Sequence, residues 1–425
     1  MRISHVATND ISGGAARAAY RLHTGLRNLG HDSRMLVAHK ASDDSDVALF
    51  QPTRDLPSRV RRRVLSKLMA RSWKRLATRP PGATFFSDDR SAFGAEMVEQ
   101  LPPCDILQLH WVSTFVDYRK FFQGVPRELP IVWTLHDMNP FTGGCHYSGD
   151  CEKFRASCGA CPELLSEVAD DFSAQSWRRK ELAISHRDVR GIQIVTPSRW
   201  LAEQARASSL FGRMPIEVIP YGLDMETFQP RDRKAAREKF GIDRAAKVAL
   251  FVAEWATEKR KGLDLFLEAV RRMNKSAEFC LVGIGRGLPK ELGGVRSVSI
   301  EYVRDDMTMS MAYSLADVFV IPSLQDNLPN TSLEALACGV PTVAFSVGGL
   351  VDVVRPGKTG ALVSPGDVQG LGDAIANFLG KDDERSTMAA ECRRVAVEEY
   401  ALEVQARRYA ALYESIKESA QTSGT

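Results

Sequence analysis

The sequence lacks several features that would place a chain of this length in a simple class. No apolar run approaches the roughly 20 residues of a membrane-spanning helix, and the first ten residues enter an apolar strand rather than a signal peptide. Lysine and arginine outnumber aspartate and glutamate by only 56 to 53, so the net charge of +3 does not indicate a nucleic-acid-binding protein. We therefore expect a cytoplasmic protein that binds no nucleic acid.

Two glycine-containing stretches lack the spacing of the nucleotide motifs that they superficially match. Residues 283–287, GIGRG, follow a predicted strand but lack the later part and the acidic partner of a dinucleotide fingerprint. We interpret them as a turn. Residues 355–360, RPGKTG, lack the GxxxxGK[ST] spacing of a phosphate-binding loop. Neither stretch supports a bound dinucleotide cofactor.

Cysteine is scarce except in one short stretch. Four of the eight cysteines, Cys145, Cys151, Cys158 and Cys161, follow the pattern C-x5-C-x6-C-x2-C. In a reducing compartment such clustering favours a metal over disulfides, and four thiolates suit tetrahedral zinc. The alternative is four unrelated buried thiols.

Apolar segments alternate with helical patterns along the whole chain, which is typical of α/β proteins with parallel sheets. At 425 residues, with 44% hydrophobic and 26% charged residues, the chain predicts two or three domains. The predicted strands cover residues 3–7, 31–38, 105–109, 131–135, 192–196, 216–220, 248–253, 277–282 and 297–302.

Polar residues follow several of these strands, at the edge where doubly wound sheets bind ligands. In the first half, His110 and the pair His136-Asp137 follow two strands, while Gly13-Gly14 precedes a helix that carries Arg17. A glycine pair at a helix N-terminus suits an anion because unpaired N–H groups and the helix dipole converge there. The alternatives are a hydrogen-bonded loop histidine and a loop that only turns the chain.

In the second half, a basic turn and two acids occupy the corresponding positions. Arg260 and Lys261 precede a helix over 263–273, where basic side chains suit a phosphate. Asp326 lies in the loop before a helix over 331–338, and Glu334 lies eight positions later inside that helix. The alternatives are a solvated basic turn and ordinary charge compensation at a helix start.

The block from Asp326 to Gly349, with its preceding Pro-Ser and its Ala-Cys-Gly-Val-Pro, resembles the signature of the retaining nucleotide-sugar glycosyltransferases of family 4. The stretch TLHDMNPFTGGCHYSGDC narrows the resemblance to bacterial exopolysaccharide and colanic-acid-type enzymes. The resemblance implies the α/β fold called GT-B, two Rossmann-like domains facing across a cleft. It implies a first domain over 1–223 that contains the cysteine-rich loop 143–162, a second over 224–397, and a terminal helix over 398–425 that crosses back and ends in a disordered tail.

The resemblance also implies roles for individual residues. Glu334 would hold the ribose of the nucleotide, Asp326 and His136 would face the donor sugar, and Arg260 and Lys261 would clamp the diphosphate. Three departures stand out: the first acid is usually Glu, Pro329 replaces a glycine, and Glu254 stands where an arginine is expected. The further donor-binding residues would be Gly13, Gly14, Gly283, Val303, Leu328, Asn330 and Thr331, and the acceptor-side residues would be Arg17, His110 and Asp137.

The implied reaction transfers a sugar from a UDP- or GDP-sugar to a saccharide or polyisoprenyl-linked acceptor with retention of configuration. No Asp-x-Asp metal motif occurs in a suitable strand-end context, so no catalytic cofactor is expected and Arg260 and Lys261 would neutralise the leaving group. The alternatives are a nucleotide-sugar epimerase or hydrolase of the same fold, and a non-catalytic sugar-binding relative.

Residues 54–79 form a basic segment with ten Lys or Arg and one acid. Val60, Val64, Leu68 and Trp73 recur at helical spacing, which predicts an amphipathic helix that could lie on the anionic inner face of a membrane. The alternative is an ordinary surface helix whose apolar stripe packs on the first domain.

Overall fold

The computed structural model describes residues 1–74, 79, 82–187, 191–273, 279–292, 294–303 and 305–422. The chain forms two compact units, one of Met1–Pro220 with Gln405–Thr425 and one of Tyr221–Val404. Each unit contains one parallel sheet with helices, so the α/β class with two Rossmann-like sheets is confirmed.

The first unit is built on a seven-stranded parallel sheet with the order β3-β2-β1-β4-β5-β6-β7. Its strands are β1 (Arg2–Asn9), β2 (Asp32–His39), β3 (Val47–Leu49), β4 (Ile106–Leu109), β5 (Ile131–Thr134), β6 (Ile192–Thr196) and β7 (Ile216–Val218). Its helices are α1 (Gly14–Asn28), α2 (Leu56–Lys74), α3 (Tyr118–Gly124), α4 (Phe172–Ile184) and α5 (Arg199–Ala207).

The second unit is built on a six-stranded parallel sheet with the order β10-β9-β8-β11-β12-β13. Its strands are β8 (Lys247–Trp255), β9 (Phe279–Arg286), β10 (Ser297–Ile300), β11 (Val318–Ile321), β12 (Thr342–Phe345) and β13 (Gly360–Val363). Its helices are α6 (Arg233–Lys239), α7 (Leu263–Arg272), α8 (Asp306–Ser314), α9 (Asn330–Ala337), α10 (Leu350–Val353), α11 (Val368–Gly380) and α12 (Asp382–Tyr400).

The central strands carry continuous apolar runs because helices cover both of their faces. All four residues of β5 are buried, and the ring of Trp133 packs among the aromatic rings of Tyr118, Phe122 and Phe211. Burial of one such side chain stabilises the fold by about 1.5–3 kcal/mol. These buried runs fix the strands in place and leave their carboxyl ends to position polar residues.

The end of the chain differs from the single helix and disordered tail that the sequence predicted. Ala401 is extended, and its neighbours Tyr400 and Leu402 exchange backbone hydrogen bonds with Leu223, which interrupts the helix. A separate helix, α13 (Leu402–Thr422), follows it. Residues 419–422 of the predicted tail are helical, and residues 423–425 lie outside the described part of the chain.

Helix α13 packs on the sheet of the first unit. Tyr409 and Tyr413 are fully buried with Ile3, Ile106 and Val132 in one apolar cluster. The hydroxyl of Tyr413 donates to Oε1 of Gln108 at 2.8 Å. The residues from Gln405 onward therefore belong to the core of the first unit, although they come last in the chain.

Candidate functional site

The basic turn and the acidic loop of the second unit meet beyond the carboxyl ends of two neighbouring strands, β8 and β11. The backbone N–H of Leu324 donates to the carbonyl of Arg260 at 2.8 Å. Gly262 has a φ of 68°, and a Cβ there would lie 1.9 Å from the carbonyl oxygen of Pro322. Only glycine allows this close approach, which fixes Lys261 beside the loop that carries Asp326.

Asp326 is the centre of this polar cluster. Its Oδ2 lies 2.7 Å from Nζ of Lys261, and its Oδ1 lies 3.3 Å from a guanidinium nitrogen of Arg260. Arg260 also contacts Oε2 of Glu258 at 3.1 Å and donates to the carbonyl of Gln325 at 2.7 Å. The structure therefore brings together the two predicted phosphate ligands and the predicted sugar-facing acid.

The carboxylate of Asp326 is buried but strongly favoured in its charged form. Burial alone would raise its pKa, yet the charges of Lys261 and Arg260 outweigh burial and lower the pKa to about 2. Gly348, with a φ of 54°, allows the next segment to press against this loop, since a Cβ there would lie 1.8 Å from the backbone oxygen of Asp326. The Gly348-Gly349 pair thus holds the acidic loop in position.

Glu334 lies inside α9 and is 5% exposed. The buried hydroxyl of Tyr313, on α8, donates to its Oε2 at 2.9 Å. Tyr313 has no motif around it that would reveal this role in the sequence. Its contact with Glu334 depends on the packing of α8 against α9, which sequence spacing does not disclose.

The other predicted donor-binding residues of this unit have varied settings. Leu328 is buried, Asn330 begins α9 directly after Pro329, and Thr331 and Val303 are half-buried.

The interpretation of residues 283–287 as a turn is wrong for most of its length. Gly283 is buried inside β9, which runs to Arg286 because it pairs with β8 on one side and β10 on the other.

In the first unit, three buried histidines form a hydrogen-bonded row across neighbouring strands. Nδ1 of His5 lies 2.9 Å from Nε2 of His110, and Nδ1 of His110 lies 3.2 Å from Nε2 of His136. Burial lowers the pKa of His136 to about 4 and holds the pKa values of His5 and His110 well below 6.5. The row is therefore neutral at pH 7, and His110 donates through one ring nitrogen and accepts on the other.

Asp137 organises a second network, which the sequence did not disclose. Its Oδ2 lies 2.6 Å from Nδ1 of His146 and accepts the indole N–H of Trp111 at 2.9 Å. Nε2 of His146 lies 2.8 Å from the hydroxyl oxygen of Ser87, which is fully buried. This arrangement resembles a serine–histidine–carboxylate triad. Because Ser87 is buried, however, its hydroxyl cannot reach a substrate as a nucleophile, and we interpret the network as structural.

The predicted glycine loop follows β1. Gly13 precedes α1 with a φ of 93°, and its carbonyl accepts the N–H of Arg17 at 3.0 Å. Gly14 is the first residue of α1, and Arg17 is half-buried one turn later. The loop thus lies after β1 and next to a helix start, as the sequence indicated.

The four clustered cysteines are free thiols that line one small cavity together with Phe86 and Phe154. Within the described ranges, no group of three or more His, Cys, Asp or Glu side chains is arranged to hold a metal ion. The predicted zinc ligands thus share a cavity without having ligand geometry.

One family model matches part of the second unit. Residues 246–381, less than half of the 425-residue chain, match the family model for glycosyl transferases group 1. The matched segment contains Arg260, Lys261, Asp326 and Glu334.

Curated relatives resemble part of the chain. The D-inositol 3-phosphate glycosyltransferase of Corynebacterium urealyticum is 33% identical over 220 residues, which are 47% of this chain and 51% of that protein. A protein of the same name from Geodermatophilus obscurus is 34% identical over 42% of this chain and 43% of its own length. The chain thus spans about half the length of the curated relatives it matches.

Solved glycosyltransferase structures share the fold of the chain. Sucrose-phosphate synthase from Thermosynechococcus elongatus matches 99% of this chain and 100% of its own with a TM-score of 0.67 and 18% identity. Anabaena Alr3699/HepE in complex with UDP-glucose matches 98% of this chain and 100% of its own with a TM-score of 0.64 and 15% identity. WaaG, a glycosyltransferase involved in lipopolysaccharide biosynthesis, matches 96% of this chain and 98% of its own with a TM-score of 0.61 and 16% identity.

Proposed function

We propose that the protein transfers a sugar from a nucleotide-sugar donor to a saccharide acceptor with retention of configuration. The observation that carries this proposal is the cluster of Arg260, Lys261 and Asp326, with Glu334 in the following helix. It occurs within the segment that matches group 1 glycosyl transferases. A solved structure of the same fold is a complex with UDP-glucose, which supports a nucleotide-sugar donor.

The donor would bind through charge and hydroxyl recognition in the second unit. Glu334, held by Tyr313, would accept hydrogen bonds from the two ribose hydroxyls. The cationic groups of Arg260 and Lys261 would contact the diphosphate, where charge-assisted hydrogen bonds are about twice as strong as neutral ones. We propose a UDP-sugar or a GDP-sugar as the donor, and binding measurements with a panel of nucleotide sugars distinguish the two.

Donor binding would exchange the partners of the cluster. The charges of Lys261 and Arg260 are compensated by Asp326. When the diphosphate takes over the two cations, the carboxylate of Asp326 becomes available to accept hydroxyl groups of the donor sugar. The cations would then stabilise the negative charge that develops on the leaving diphosphate, a preorganised electrostatic contribution.

The reaction would follow front-face attack, which retains the anomeric configuration. The acceptor hydroxyl bonds to the anomeric carbon as the bond to the diphosphate breaks, and the leaving phosphate oxygen takes the acceptor proton. No side-chain base is required for this step. His136 would be a weak base, because burial lowers its pKa to about 4.

The first unit would bind the acceptor, through residues of the loops after β1, β4 and β5. Asp137 already accepts hydrogen bonds from Trp111 and the backbone of Asn139, which fixes the loop around it. We propose a saccharide acceptor, carried by a polyisoprenyl lipid. The D-inositol 3-phosphate in the name of the partial relatives is a second acceptor to be tested.

Helix α2 supports an acceptor at a membrane surface. Leu56, Val60, Val64 and Leu68 recur every fourth residue and are 51–71% exposed. The interpretation that Val60, Val64 and Leu68 pack on the first domain is therefore wrong. The side of α2 that packs inward instead carries the half-buried Leu65 and Met69.

Basic side chains flank this exposed stripe. Those of Arg59, Arg61, Arg63, Lys67 and Arg71 are exposed. An apolar stripe bordered by exposed arginines fits the interface of an anionic bilayer. Among the residues that the structure describes, no helix is long and apolar enough to cross a membrane.

Trp73 corrects the predicted arrangement of this helix. Its ring contacts Phe172, with the ring centroids 6.1 Å apart, and it packs against the cluster of Phe86, Cys145 and Cys161. It therefore anchors the end of α2 to the first unit rather than joining the exposed stripe. The predicted basic residue Arg75 and apolar Leu76 lie outside the described residues.

Calorimetric titration with UDP-, GDP- and dTDP-sugars tests the donor part of this proposal. We expect one nucleotide series to bind, with affinity lost when Glu334 becomes Ala. A fold-preserving variant with unchanged affinity would contradict the assignment of Glu334. A chain that binds no nucleotide sugar would instead favour the non-catalytic relative.

A further inference from the structure

Four cysteines that the proposed reaction does not use line one cavity of the first unit. Cys145, Cys151, Cys158 and Cys161 all line one void of about 20 Å³ between the loop 143–161 and the start of α4. A void of that size accommodates about one particle the size of a water molecule. Cys145 and Cys161 are buried, and they pack with Phe86 in an apolar cluster.

One backbone group beside the cavity donates to a cysteine sulfur. The N–H of Gly143 donates to the sulfur of Cys158 at 3.1 Å. A Cβ at Gly143 would lie 2.8 Å from the Cβ of Cys158 and 2.4 Å from the carbonyl oxygen of Ser173, so a larger residue would disturb this contact. Burial raises the pKa of the Cys158 thiol to about 11 and the N–H of Gly143 offsets only part of this rise, so a metal that binds here displaces thiol protons.

The backbone between the last two cysteines is also shaped around the cavity. Gly159 has a φ of 149°, where a Cβ would lie 2.2 Å from the carbonyl oxygen of Ala169, and Ala160 has a left-handed φ of 42°. A non-glycine residue in this conformation stores strain, which persists only where surrounding interactions hold it. The tight C-x2-C turn that results places Cys158 and Cys161 at the wall of one cavity.

A buried cation lies next to the cavity. Lys180 is fully buried on α4, where its ammonium donates to the carbonyls of Asn139 at 2.5 Å and Thr142 at 3.1 Å. Its charge also interacts with those of Asp88 and Asp89. A zinc ion with four thiolates carries a net charge of about −2, which a neighbouring ammonium offsets.

We propose that Cys145, Cys151, Cys158 and Cys161 bind one structural zinc ion that fastens the loop 143–161 to the first unit. Four sulfur ligands complete a tetrahedral site, so this zinc has no open position for substrate. As the side chains stand, no three of them are arranged as ligands, so binding requires the thiols to turn towards the centre of the cavity. The bound ion would hold His146, next to Cys145 in the chain, in its network with Asp137.

Metal analysis of the full chain, purified without chelator, tests this proposal. We expect about one zinc per chain. Modification of the thiols with a mercurial in the presence of a zinc-sensitive dye should release the metal in step with the loss of the four thiols. This measurement uses the wild-type protein and does not depend on transferase activity. Its outcome is therefore independent of the proposed function.

Two serine variants provide the matched comparison. Cys158→Ser should retain about one-tenth or less of the wild-type zinc, since even changes outside the ligand set lower metal affinity about 10- to 100-fold. Cys104→Ser changes a cysteine outside the cluster and should keep its zinc. Wild-type protein with no metal and four freely titrating thiols would overturn the proposal. A reductant-sensitive disulfide within the cluster would overturn it as well.

Discussion

Nζ of Lys261 lies 2.7 Å from Oδ2 of Asp326, so the cation expected to meet the donor phosphate is paired with the carboxylate expected to face the donor sugar. This ion pair is buried on the carboxylate side and keeps the lysine from folding away into solvent. A diphosphate, with a larger negative charge, competes for the same cation. We therefore propose that donor binding releases Asp326 from this pair.

We expect Lys261→Ala to weaken binding of the nucleoside diphosphate about tenfold or more. Charge-assisted contacts to phosphate contribute about 1.5–3 kcal/mol, and 1.4 kcal/mol corresponds to a factor of ten. Calorimetry with the nucleoside and with its diphosphate separates the contact to the phosphates from the contact to the nucleoside, because only the diphosphate reaches Lys261. Lys259→Ala, at an exposed neighbouring lysine, is the control and should bind both ligands normally. An equal loss for nucleoside and diphosphate would exclude phosphate contact.

We expect Glu334→Gln to lose recognition of the ribose hydroxyls. The amide keeps the size of the side chain but removes its charge, and hydrogen bonds to a charged group contribute about 1.5–3 kcal/mol. Titration with the nucleoside diphosphate and with its 2′-deoxy analogue measures this directly. The wild-type protein should prefer the ribose form, and the variant should bind both about equally. A preference that persists in the variant would place the ribose elsewhere.

Tyr313→Phe tests how Glu334 is held. It removes the hydroxyl that donates to Oε2 and leaves a buried ring of nearly the same volume. We expect a smaller loss of ribose preference than in Glu334→Gln, because the carboxylate keeps its charge but not its fixed orientation. A loss in the Tyr313 variant that exceeds the loss in the Glu334 variant would contradict this order.

Much of the sheet framework was predictable because buried strands are local apolar runs. The strand predicted over 192–196 agrees with β6, and the helix predicted over 331–338 begins and ends one residue earlier as α9. Contacts between segments distant in sequence were not predictable. Leu223 divides the predicted terminal helix at Ala401, and pairing with two strands extends β9 through the predicted glycine turn.

The residues of the candidate functional site likewise include some that the sequence predicts and some that it does not. Asp326, Glu334 and Lys261 belong to local patterns, so the sequence indicates them. Tyr313 reaches Glu334 in the second unit, and Ser87 reaches His146 in the first unit, only through tertiary packing. His146 lies inside the recognised motif, but its pairing with Asp137 depends on the conformation of the loop between them.

We expect acid to destabilise the protein from pH 6.5 downward through its buried histidines. Burial lowers the pKa of His136 and of His23 to about 4, so the unfolded chain binds protons that the folded chain excludes. The free energy of unfolding is therefore unaffected by these histidines above pH 6.5, and it decreases as the pH falls from 6.5 towards 4. Each such histidine contributes about 1.4 kcal/mol per pH unit within that window.

Urea unfolding at several pH values between 7.5 and 4.5 measures this effect. The free energy of unfolding of His136→Asn should depend less steeply on pH than that of the wild type. His39→Asn, at an exposed histidine, should keep the wild-type slope. Identical slopes for His136→Asn and the wild type would show that His136 takes up its proton equally in both states.

We expect the protein to sediment with anionic vesicles and to leave them as salt is added. Basic residues near such a surface contribute about 1 kcal/mol each. Changing Arg63, Lys67 and Arg71 together to Glu should abolish binding. Arg62 is left unchanged because it is paired with Glu96 at 3.1 Å, and its loss would disturb the fold.

A control variant carries the same change of charge in the second unit. It replaces three exposed lysines by Glu: Lys234, Lys290 and Lys358. This variant should bind vesicles as well as the wild type if α2 is the contact surface. An equal loss in both variants would indicate a general charge effect, and equal sedimentation with neutral and anionic vesicles would contradict the electrostatic account.

The most direct test of the central claim follows a labelled sugar from the donor to an acceptor. The wild-type protein and Glu334→Ala are each incubated with labelled UDP-, GDP- and dTDP-sugars, with and without lipid-linked saccharides or D-inositol 3-phosphate. We predict that one donor transfers its label to an acceptor with the donor's anomeric configuration retained, and that the variant does not catalyse this transfer. Release of free sugar or an epimerised donor, at the same rate with and without acceptor, would contradict the account.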